Sequence, residues 1–282
     1  MKRIALLAMA ILVSGITMAQ SVKLQSAINY LEDLRLEEAQ KAIHEALDHE
    51  KTKNDPKTWL YKGKIYSTIY QVATMDDNIE VGMKRDDVEK VLGKPQKDRR
   101  NWAEYPPDMR IDYKDNVVED FNKPADGAYE DLAEEPLLTA YDAYQKAIDL
   151  DEDQQYLQAL KLELYNLGNF TYNAAVQAYN SKSFEQAETY FMKTYDIKKV
   201  MGETDTNSVF NAAIAAQNAE DIDQALKHYR TLIQYKYSKA SIYANAGQLL
   251  LLQKDTAEAE SLLKLGRKRH PDDYDVLINL TN

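Results

Sequence analysis

One pattern of apolar positions recurs along the chain. It is a triad with the spacing i, i+4, i+7, and an alanine opens each copy. This spacing places all three residues on one face of a helix. The five triads are Ala39/Ile43/Ala46, Ala140/Tyr144/Ala147, Ala187/Phe191/Thr194, Ala225/Tyr229/Leu232 and Ala259/Leu263/Gly266. Each triad therefore predicts an amphipathic helix.

A second pattern precedes four of the triads and predicts a partner helix for each. Twelve residues before the triad stands a small residue, namely Ala27, Ala175, Ala213 or Gly247. Three residues later comes Tyr30, Ala178, Ala216 or Leu250. Small residues let two helix axes approach closely. Residue pairs with capping-box spacing begin the second helix of three pairs: Ser183 and Gln186, Asp221 and Gln224, Asp255 and Glu258.

These helix pairs resemble the tetratricopeptide repeat family. The resemblance rests on "TWLYKGKIY" with Trp59, Gly63 and Tyr66, on "AYDAYQKAIDLD", on "YNAAVQAYNSKSFEQAETYF", on "NAAIAAQNAEDIDQALKHY", and on the last repeat, which Pro271 closes. It implies an all-α, right-handed superhelical solenoid of about five helix-pair repeats, with the first helix of each pair on a concave face. Unrelated amphipathic hairpins are the alternative.

The spacing of the repeats is uneven, and two segments account for this. The last two triads lie 34 residues apart, whereas earlier spacings are 38 and 47. An elongated first helix from Leu157 to Asn180 absorbs this excess. The triad that pairs with Trp59, Gly63 and Tyr66 is due near Met75, yet the next one begins at Ala140. This gap predicts an insertion in the second repeat, from about Asp76 to Glu135.

The insertion reads as a small α+β module. A capped helix is predicted from Lys84 to Leu92, followed by Gly93-Lys94-Pro95. The segments "NWAEY", "MRIDY" and "VVEDF" are rich in aromatic and branched residues and predict strands, with a hairpin turn at Lys114-Asp115-Asn116. The domain division is therefore a leader over 1–19, repeats over 20–75, the module over 76–135 and further repeats over 136–282.

Part of this module resembles the small outer-membrane assembly lipoproteins of the SmpA/OmlA (BamE-like) type. The resemblance covers Ile79 to Phe121 and rests on "GMKRDDVEKVLGKP", "WAEY" and "IDYKDNVVEDF". It implies that Val88 and Leu92 face the sheet and that the module serves envelope assembly. The lipid-bearing cysteine of that family is missing. An ordinary insert, whose Met83, Val88 and Leu92 form only its own small core, remains the alternative.

The first nineteen residues predict a cleaved secretory signal. Lys2 and Arg3 precede an apolar run from Ile4 to Val13, and small residues follow. A membrane anchor is the alternative, but this run is shorter than the roughly 18 apolar residues of a spanning helix. Without any cysteine, neither a lipid anchor nor disulfides are expected. We therefore expect a periplasmic or secreted protein that has no integral membrane segment after cleavage.

Charge and chemistry narrow the function further. Removal of Lys2 and Arg3 takes the net charge from −11 to −13, which disfavours nucleic acid and anionic lipid as partners. The four histidines, His44, His49, His228 and His270, show no metal-ligand spacing and are expected to be solvated or partly packed. The acidic "DLDEDQQ" lacks the glycine and glutamate of a calcium loop. We expect no enzyme, no cofactor and no metal.

The expected binding site lies on the first helices. Two residues before the small position stand Asn173, Asn211 and Asn245, one in each of three repeats. This resembles the asparagine ladder of peptide-binding tetratricopeptide arrays, in which amides pair with a peptide backbone. Neighbouring apolar residues are expected to seat ligand side chains: Tyr172, Tyr179, Phe210 and Ile214. The alternatives are that the asparagines bond a neighbouring helix backbone and that the aromatics are core.

Two functions follow from these sites. The first is an exported scaffold that binds a protein or peptide segment on the concave face. The second is a structural component of an envelope-assembly complex that docks through the module, with Arg99, Arg100 and Trp102 as its contact surface. The pattern leaves the partner and the oligomeric state open. At the end of the chain, Asp272-Asp273 predicts the start of one more short helix.

Overall fold

The computed structural model describes residues 22–74, 79–105, 109–122, 130–273 and 276. The leader over 1–19 and most of the last predicted helix lie outside these residues. The described chain is mostly helical. Its helices are α1 (22–32), α2 (Leu36–Leu47), α3 (Pro56–Ala73), α4 (Arg85–Leu92), α5 (Pro136–Leu150), α6 (Leu157–Asn180), α7 (Phe184–Val200), α8 (Thr206–Asn218), α9 (Ile222–Gln234), α10 (Ser241–Leu252) and α11 (Thr256–Arg269).

Contacts join these helices in pairs along the chain. Lys23 on α1 forms a 2.5 Å ion pair with Glu45 on α2. Helices α3 and α5 pack together across the inserted module, and α8 with α9 and α10 with α11 pack in the same way. The chain divides into two compact units, of which the first ends at Glu163 and the second begins at Leu164. Helix α6 contributes residues to both units.

The five apolar triads are confirmed as the buried stripes of α2, α5, α7, α9 and α11. Every member is buried, and the alanines are fully so. The small residues of the first helices are buried as well, namely Ala27, Ala175, Ala213 and Gly247. The triad of each second helix thus packs where its partner carries no bulky side chain.

Glycine is required where the paired helices approach most closely. A Cβ atom added to Gly63 on α3 would lie only 2.2 Å from the ring of Tyr144 on α5. Tyr144 is fully buried, and its hydroxyl lies 3.3 Å from the Ser67 Oγ atom. A Cβ atom on Gly247 would lie 2.7 Å from Leu263. Only glycine therefore lets these triads pack without displacing a neighbour.

The turns inside four helix pairs share one geometry. The residue before the second helix's N-cap has a positive φ between 55° and 65°, although none is glycine: Leu34, Lys182, Glu220 and Lys254. The next backbone N–H donates at 2.8–3.0 Å to the carbonyl five residues earlier. These bonds are those of the Schellman motif, which satisfies carbonyls at the end of a helix.

Two of the three predicted helix caps are confirmed. The carboxylates of Asp221 and Asp255 accept hydrogen bonds of 3.0 and 3.1 Å from the backbone N–H groups of Gln224 and Glu258. The third prediction is wrong, because the Ser183 hydroxyl makes no cap bond, although Ser183 occupies the N-cap position. Its hydroxyl is one bond shorter than a carboxylate arm.

The inserted module folds around its own core. Strands β1 (Lys97–Arg99), β2 (Trp102–Tyr105), β3 (Met109–Lys114) and β4 (Val117–Phe121) form an antiparallel sheet in that order. One sheet face packs on α4, where Val88 is fully buried, and Leu92 and Met83 join the same cluster. The packing expected of Val88 and Leu92 is thus confirmed.

Local details of the module differ from the sequence prediction. Helix α4 begins at Arg85, and Lys84 at its N-cap makes no side-chain cap, because an ammonium group cannot accept a hydrogen bond. Strand β1 was not predicted. The hairpin turn is confirmed, and Asp115 and Asn116 both have positive φ, as a two-residue type I′ turn requires.

No helix within the described residues is long and apolar enough to cross a membrane.

We predict that the module is dispensable for folding of the repeats. A short turn in place of 76–135 leaves the contact between Gly63 and Tyr144 intact; among the described residues, it removes the 2.8 Å hydrogen bond from the Gln40 amide to the Leu132 carbonyl and the contact of Glu130–Leu132 with α3. The loss is expected to be about 1 kcal/mol. Circular dichroism during urea unfolding should show a helical protein with a cooperative transition.

A longer deletion provides the control for this experiment. A deletion extended through Ala147 removes the triad of α5 and should abolish cooperative unfolding of the first unit. Loss of cooperative unfolding in the shorter deletion as well would contradict the independence of the module.

Candidate binding surface

Charge is unevenly divided between the two kinds of helix in the second unit. Helices α8 and α10 contain no charged residue, and neither does α6 from Leu164 to Asn180. The second helices α7, α9 and α11 carry acidic and basic residues along their length. We call the exposed and half-buried side chains of α6 from Leu164, of α8 and of α10 the first-helix face. None of these three helix segments contributes a charged side chain to the surface.

The three predicted asparagines all lie on the first-helix face. Asn173 is exposed, whereas Asn211 and Asn245 are half-buried. The side chains of Asn173 and Asn211 make no hydrogen bond to any described residue. The Asn245 amide instead donates to the Tyr229 hydroxyl on α9 at 3.0 Å. Two of the three amides are therefore available to a ligand, and the third already has one protein partner.

Further asparagines on this face were not predicted. Asn169, Asn173 and Asn180 of α6 recur 38 residues later as Asn207, Asn211 and Asn218 of α8. All but Asn211 are exposed. The 38-residue offset is the distance between the small residues of the two repeats, so these extra columns were detectable in the sequence. The face thus carries three columns of amides on α6 and α8 rather than one.

The predicted apolar residues accompany these amides, and most serve the packing as well. Tyr172 is 39% exposed and lies edge-on to Phe191, with ring centroids 5.8 Å apart. Phe210 is half-buried and packs on Tyr237 at 5.6 Å. Ile214 is half-buried against the core of the second unit. Of these, Tyr172 offers the largest free surface to a ligand.

Hydrogen bonds join neighbouring helices across the face. The Asn218 amide on α8 donates to the Tyr179 hydroxyl on α6 at 2.7 Å. Tyr179 also lies edge-on to Phe184. The hydroxyl of Tyr237, in the loop between α9 and α10, donates to the side-chain Oδ1 atom of Asn207 at 2.9 Å. These bonds hold the edges of α6 and α8 in place while leaving Asn173 and Asn211 between them unengaged.

A buried tyrosine hydroxyl accepts the hydrogen bond of the Asn245 amide. Tyr229 on α9 is fully buried, and its hydroxyl donates to the side-chain Oε1 atom of Gln217 at 2.9 Å while accepting from the Asn245 amide. Burial raises the pKa of Tyr229 to about 12, so the hydroxyl keeps its proton at physiological pH. This tyrosine connects α8 and α10 through their polar side chains.

The predicted contact surface of the module surrounds a tight turn. Arg99 and Arg100 are exposed, and Trp102 is half-buried beneath the Arg110 guanidinium, 4.8 Å from the ring centroid. Arg85 on α4 is only 12% exposed and donates to the carbonyls of Arg99 and Arg100 at 2.8 and 3.2 Å.

Arg85 makes further contacts within the module. It also pairs with Asp98 and lies over the Tyr113 ring. Arg85 therefore anchors the backbone of the turn, while the side chains of Arg99 and Arg100 are exposed.

The histidines and acidic residues considered for catalysis or metal binding lie outside the first-helix face. No cluster of three or more histidine, cysteine or acidic residues suited to a metal occurs in the described ranges. His228 differs from the expectation, because it is 3% exposed and its Nε2 atom lies 2.6 Å from Glu188 on α7. In the acidic segment, the Asp151 carboxylate accepts from the backbone N–H groups of Gln155 and Tyr156. Both arrangements serve packing and turn formation.

No protein-family model matches the sequence, and no curated protein is detectably similar to it. Structural similarity is found with several tetratricopeptide proteins. YrrB, a TPR protein with an unusual peptide-binding site, is 13% identical with a TM-score of 0.33, over 92% of this chain and 91% of YrrB.

Two further structures show similarity of the same order. PilF of Pseudomonas aeruginosa is 15% identical with a TM-score of 0.30, over 93% of this chain and 97% of PilF. The TPR2AB domain of yeast Sti1, solved as a complex with pHSP90, is 10% identical with a TM-score of 0.33, over 92% and 94% of the two chains. At these values the superpositions do not establish a family, and the repeat assignment rests on the helix pairs themselves.

We predict that Tyr229→Phe destabilises the second unit by about 1–3 kcal/mol, because Gln217 and Asn245 both lose a hydrogen-bond partner. Tyr165→Phe is the matched control. Tyr165 is 59% exposed, and its hydroxyl bonds no described residue, so its loss should change the free energy of unfolding by less than about 0.5 kcal/mol. Urea unfolding followed by circular dichroism measures both, and equal effects would contradict the bridging role of Tyr229.

Proposed function

We propose that the protein is a non-enzymatic scaffold that binds an extended segment of another protein on its first-helix face. The main observation in support is a column of three asparagines on successive first helices, namely Asn173, Asn211 and Asn245. An amide side chain presents a donor and an acceptor, as a peptide group does. A column of amides therefore pairs with a polypeptide backbone irrespective of its side chains.

The proposed architecture is the right-handed superhelical solenoid of five helix pairs expected from the sequence. Its support is the repetition of buried triads, small residues and Schellman turns from pair to pair. In such an array the first helices line a concave surface, and an extended ligand lies along it. Surfaces of this kind bind by many weak contacts distributed over several repeats.

Export is part of the proposal. The leader over 1–19 has the charge and apolar pattern of a cleaved signal, and the rest of the chain is rich in acidic residues. The protein is therefore assigned to the periplasm or to the extracellular space. N-terminal sequencing of the protein recovered from the cell envelope tests this assignment.

Envelope assembly through the module is the second candidate function. The observation that favours it is that Arg85, whose side chain is only 12% exposed, donates hydrogen bonds to the backbone carbonyls of the exposed Arg99 and Arg100. A pre-ordered cationic turn loses little entropy when it docks on an acidic partner. In this alternative the module carries the essential contact, and the first-helix face is secondary.

We predict that changing Asn173, Asn211 and Asn245 to alanine weakens capture of the natural partner by about ten- to a thousand-fold. Each amide hydrogen bond contributes about 0.5–1.5 kcal/mol, and 1.4 kcal/mol corresponds to tenfold in affinity. Removing the bond between Asn245 and Tyr229 should also lower stability by about 1 kcal/mol. Quantitative pull-down from envelope extract, alongside circular dichroism, measures both effects.

Two further variants make this experiment decisive. Alanine at the exposed positions Gln186, Gln234 and Ser261 on second helices is the matched control and should leave capture unchanged. Alanine at Arg99, Arg100 and Trp102 tests the module. Loss of the partner from the module variant, with full retention by the triple asparagine variant, would replace the first proposal by the second.

A further inference from the structure

We infer that the ligand segment on the first-helix face is itself uncharged, with side chains that are apolar, amide or hydroxyl in kind. This inference rests on the proposed function and narrows it to one class of polypeptide. It depends on the electrostatics of the face rather than on the asparagine column alone.

The absence of charge on this face is selective. Charged residues make up 29% of the chain, yet α8 and α10 contain none along 13 and 12 residues. The adjoining second helices are highly charged and form ion pairs, such as Arg230 on α9 with Glu258 on α11 at 2.8 Å. Within the second unit, the charges that lie on helices are thus on the helices that do not form the face.

A cation at the edge of the face already has aromatic partners. Lys239 lies in the loop before α10, with its ammonium 4.3 Å from the centroid of the Phe210 ring and 5.9 Å from that of Tyr237. A cation over an aromatic ring is partly satisfied there. Lys239 therefore covers one aromatic at the edge and does not supply a carboxylate-binding site between the helices.

A charged ligand side chain would be penalised on such a surface. Binding removes water from the ligand, and burying a charge without a partner costs far more than burying an amide or hydroxyl that finds a hydrogen bond. Asn173 and Asn211 provide hydrogen bonds but no compensating charge. The face therefore selects against aspartate, glutamate, lysine and arginine in the segment that it covers.

Helix spacing sets the length of this segment. Helices α8 and α10 each pack on α9, and packed helices lie about 8–10 Å apart, so these two first helices are spaced by at most about 20 Å. An extended chain rises about 3.3 Å per residue, so up to about six ligand residues correspond to each step between first helices and up to about twelve cross α6, α8 and α10. Amides recurring at such an interval suit a polymer with regularly spaced peptide groups.

The test is a selection from a phage library of random 12-residue peptides on the purified full-length protein at about 0.15 M salt. Enriched peptides should contain a continuous run of uncharged residues that includes their centre. Fluorescence anisotropy of the best synthetic peptide should give a dissociation constant that changes less than twofold between 0.05 and 0.5 M sodium chloride. A central lysine or aspartate in that peptide should weaken binding at least tenfold.

A matched pair of variants tests the electrostatics of the face by adding one positive charge either on it or away from it. Asn211→Lys introduces a cation at the centre of the face and should shift the selection toward acidic peptides and make their binding salt-dependent. Ser261→Lys adds the same charge on the exposed side of α11 and should leave both properties unchanged.

The outcomes separate this inference from the function on which it rests. Enrichment of acidic or basic peptides that the triple asparagine variant no longer binds would overturn the inference and keep the proposed function. If no peptide is enriched, or if the triple asparagine variant binds the selected peptides as tightly, the proposed function fails and the inference with it. Capture of an uncharged oligosaccharide on a glycan array, lost in the triple asparagine variant, would assign the face to a glycan and overturn both.

Discussion

The close approach of paired helices at small residues is the constraint on which the rest of the structure depends. Gly63 faces Tyr144 in the first unit and Gly247 faces Leu263 in the second, both at separations that no side chain at the glycine would allow. The buried side of each first helix is thereby fixed against its partner. Helices α8 and α10 also pack on the second helix that precedes each of them, so only their remaining exposed and half-buried side chains are available to a ligand.

The different surroundings of first and second helices explain how charged and amide residues are distributed between them. The second helices are held by their triads on one side and carry ion pairs such as Arg230 with Glu258 on the other. Exposed ion pairs contribute little stability but keep a surface soluble. The first helices of the second unit use amides instead, because an amide loses less than a charge when a ligand displaces water. In the proposed function, the charged second helices keep the surface soluble and the uncharged first helices bind the partner.

Features that a local sequence pattern encodes were predicted correctly, whereas features that depend on detailed geometry were missed. The triads and small residues were predicted because helical periodicity reports burial directly, and all of them are buried. Strand β1 was missed because Lys97 to Arg99 are all exposed and show no apolar alternation. The cap at Ser183 was predicted from spacing alone, which does not report whether a short hydroxyl reaches the backbone.

The candidate site shows the same limits. The asparagine column was visible as a repeat, but the bond between Asn245 and Tyr229 depends on how α9 packs between α8 and α10, which no local pattern encodes. Support of the Arg99 and Arg100 turn by Arg85 joins residues 14 and 15 positions apart through a sheet. Tertiary contacts of this kind decide which predicted residues remain free for a ligand.

The central claim is that the first-helix face, rather than the module, contacts the partner, and site-specific photo-crosslinking in the native envelope tests it most directly. A photoreactive amino acid is placed at Asn211, at Arg100 in the module turn, or at the exposed Ser261 on α11, and adducts are identified by mass spectrometry. The account predicts an adduct from Asn211, mapped to one extended uncharged segment of the partner, and none from Ser261. Adducts from Arg100 alone would contradict it.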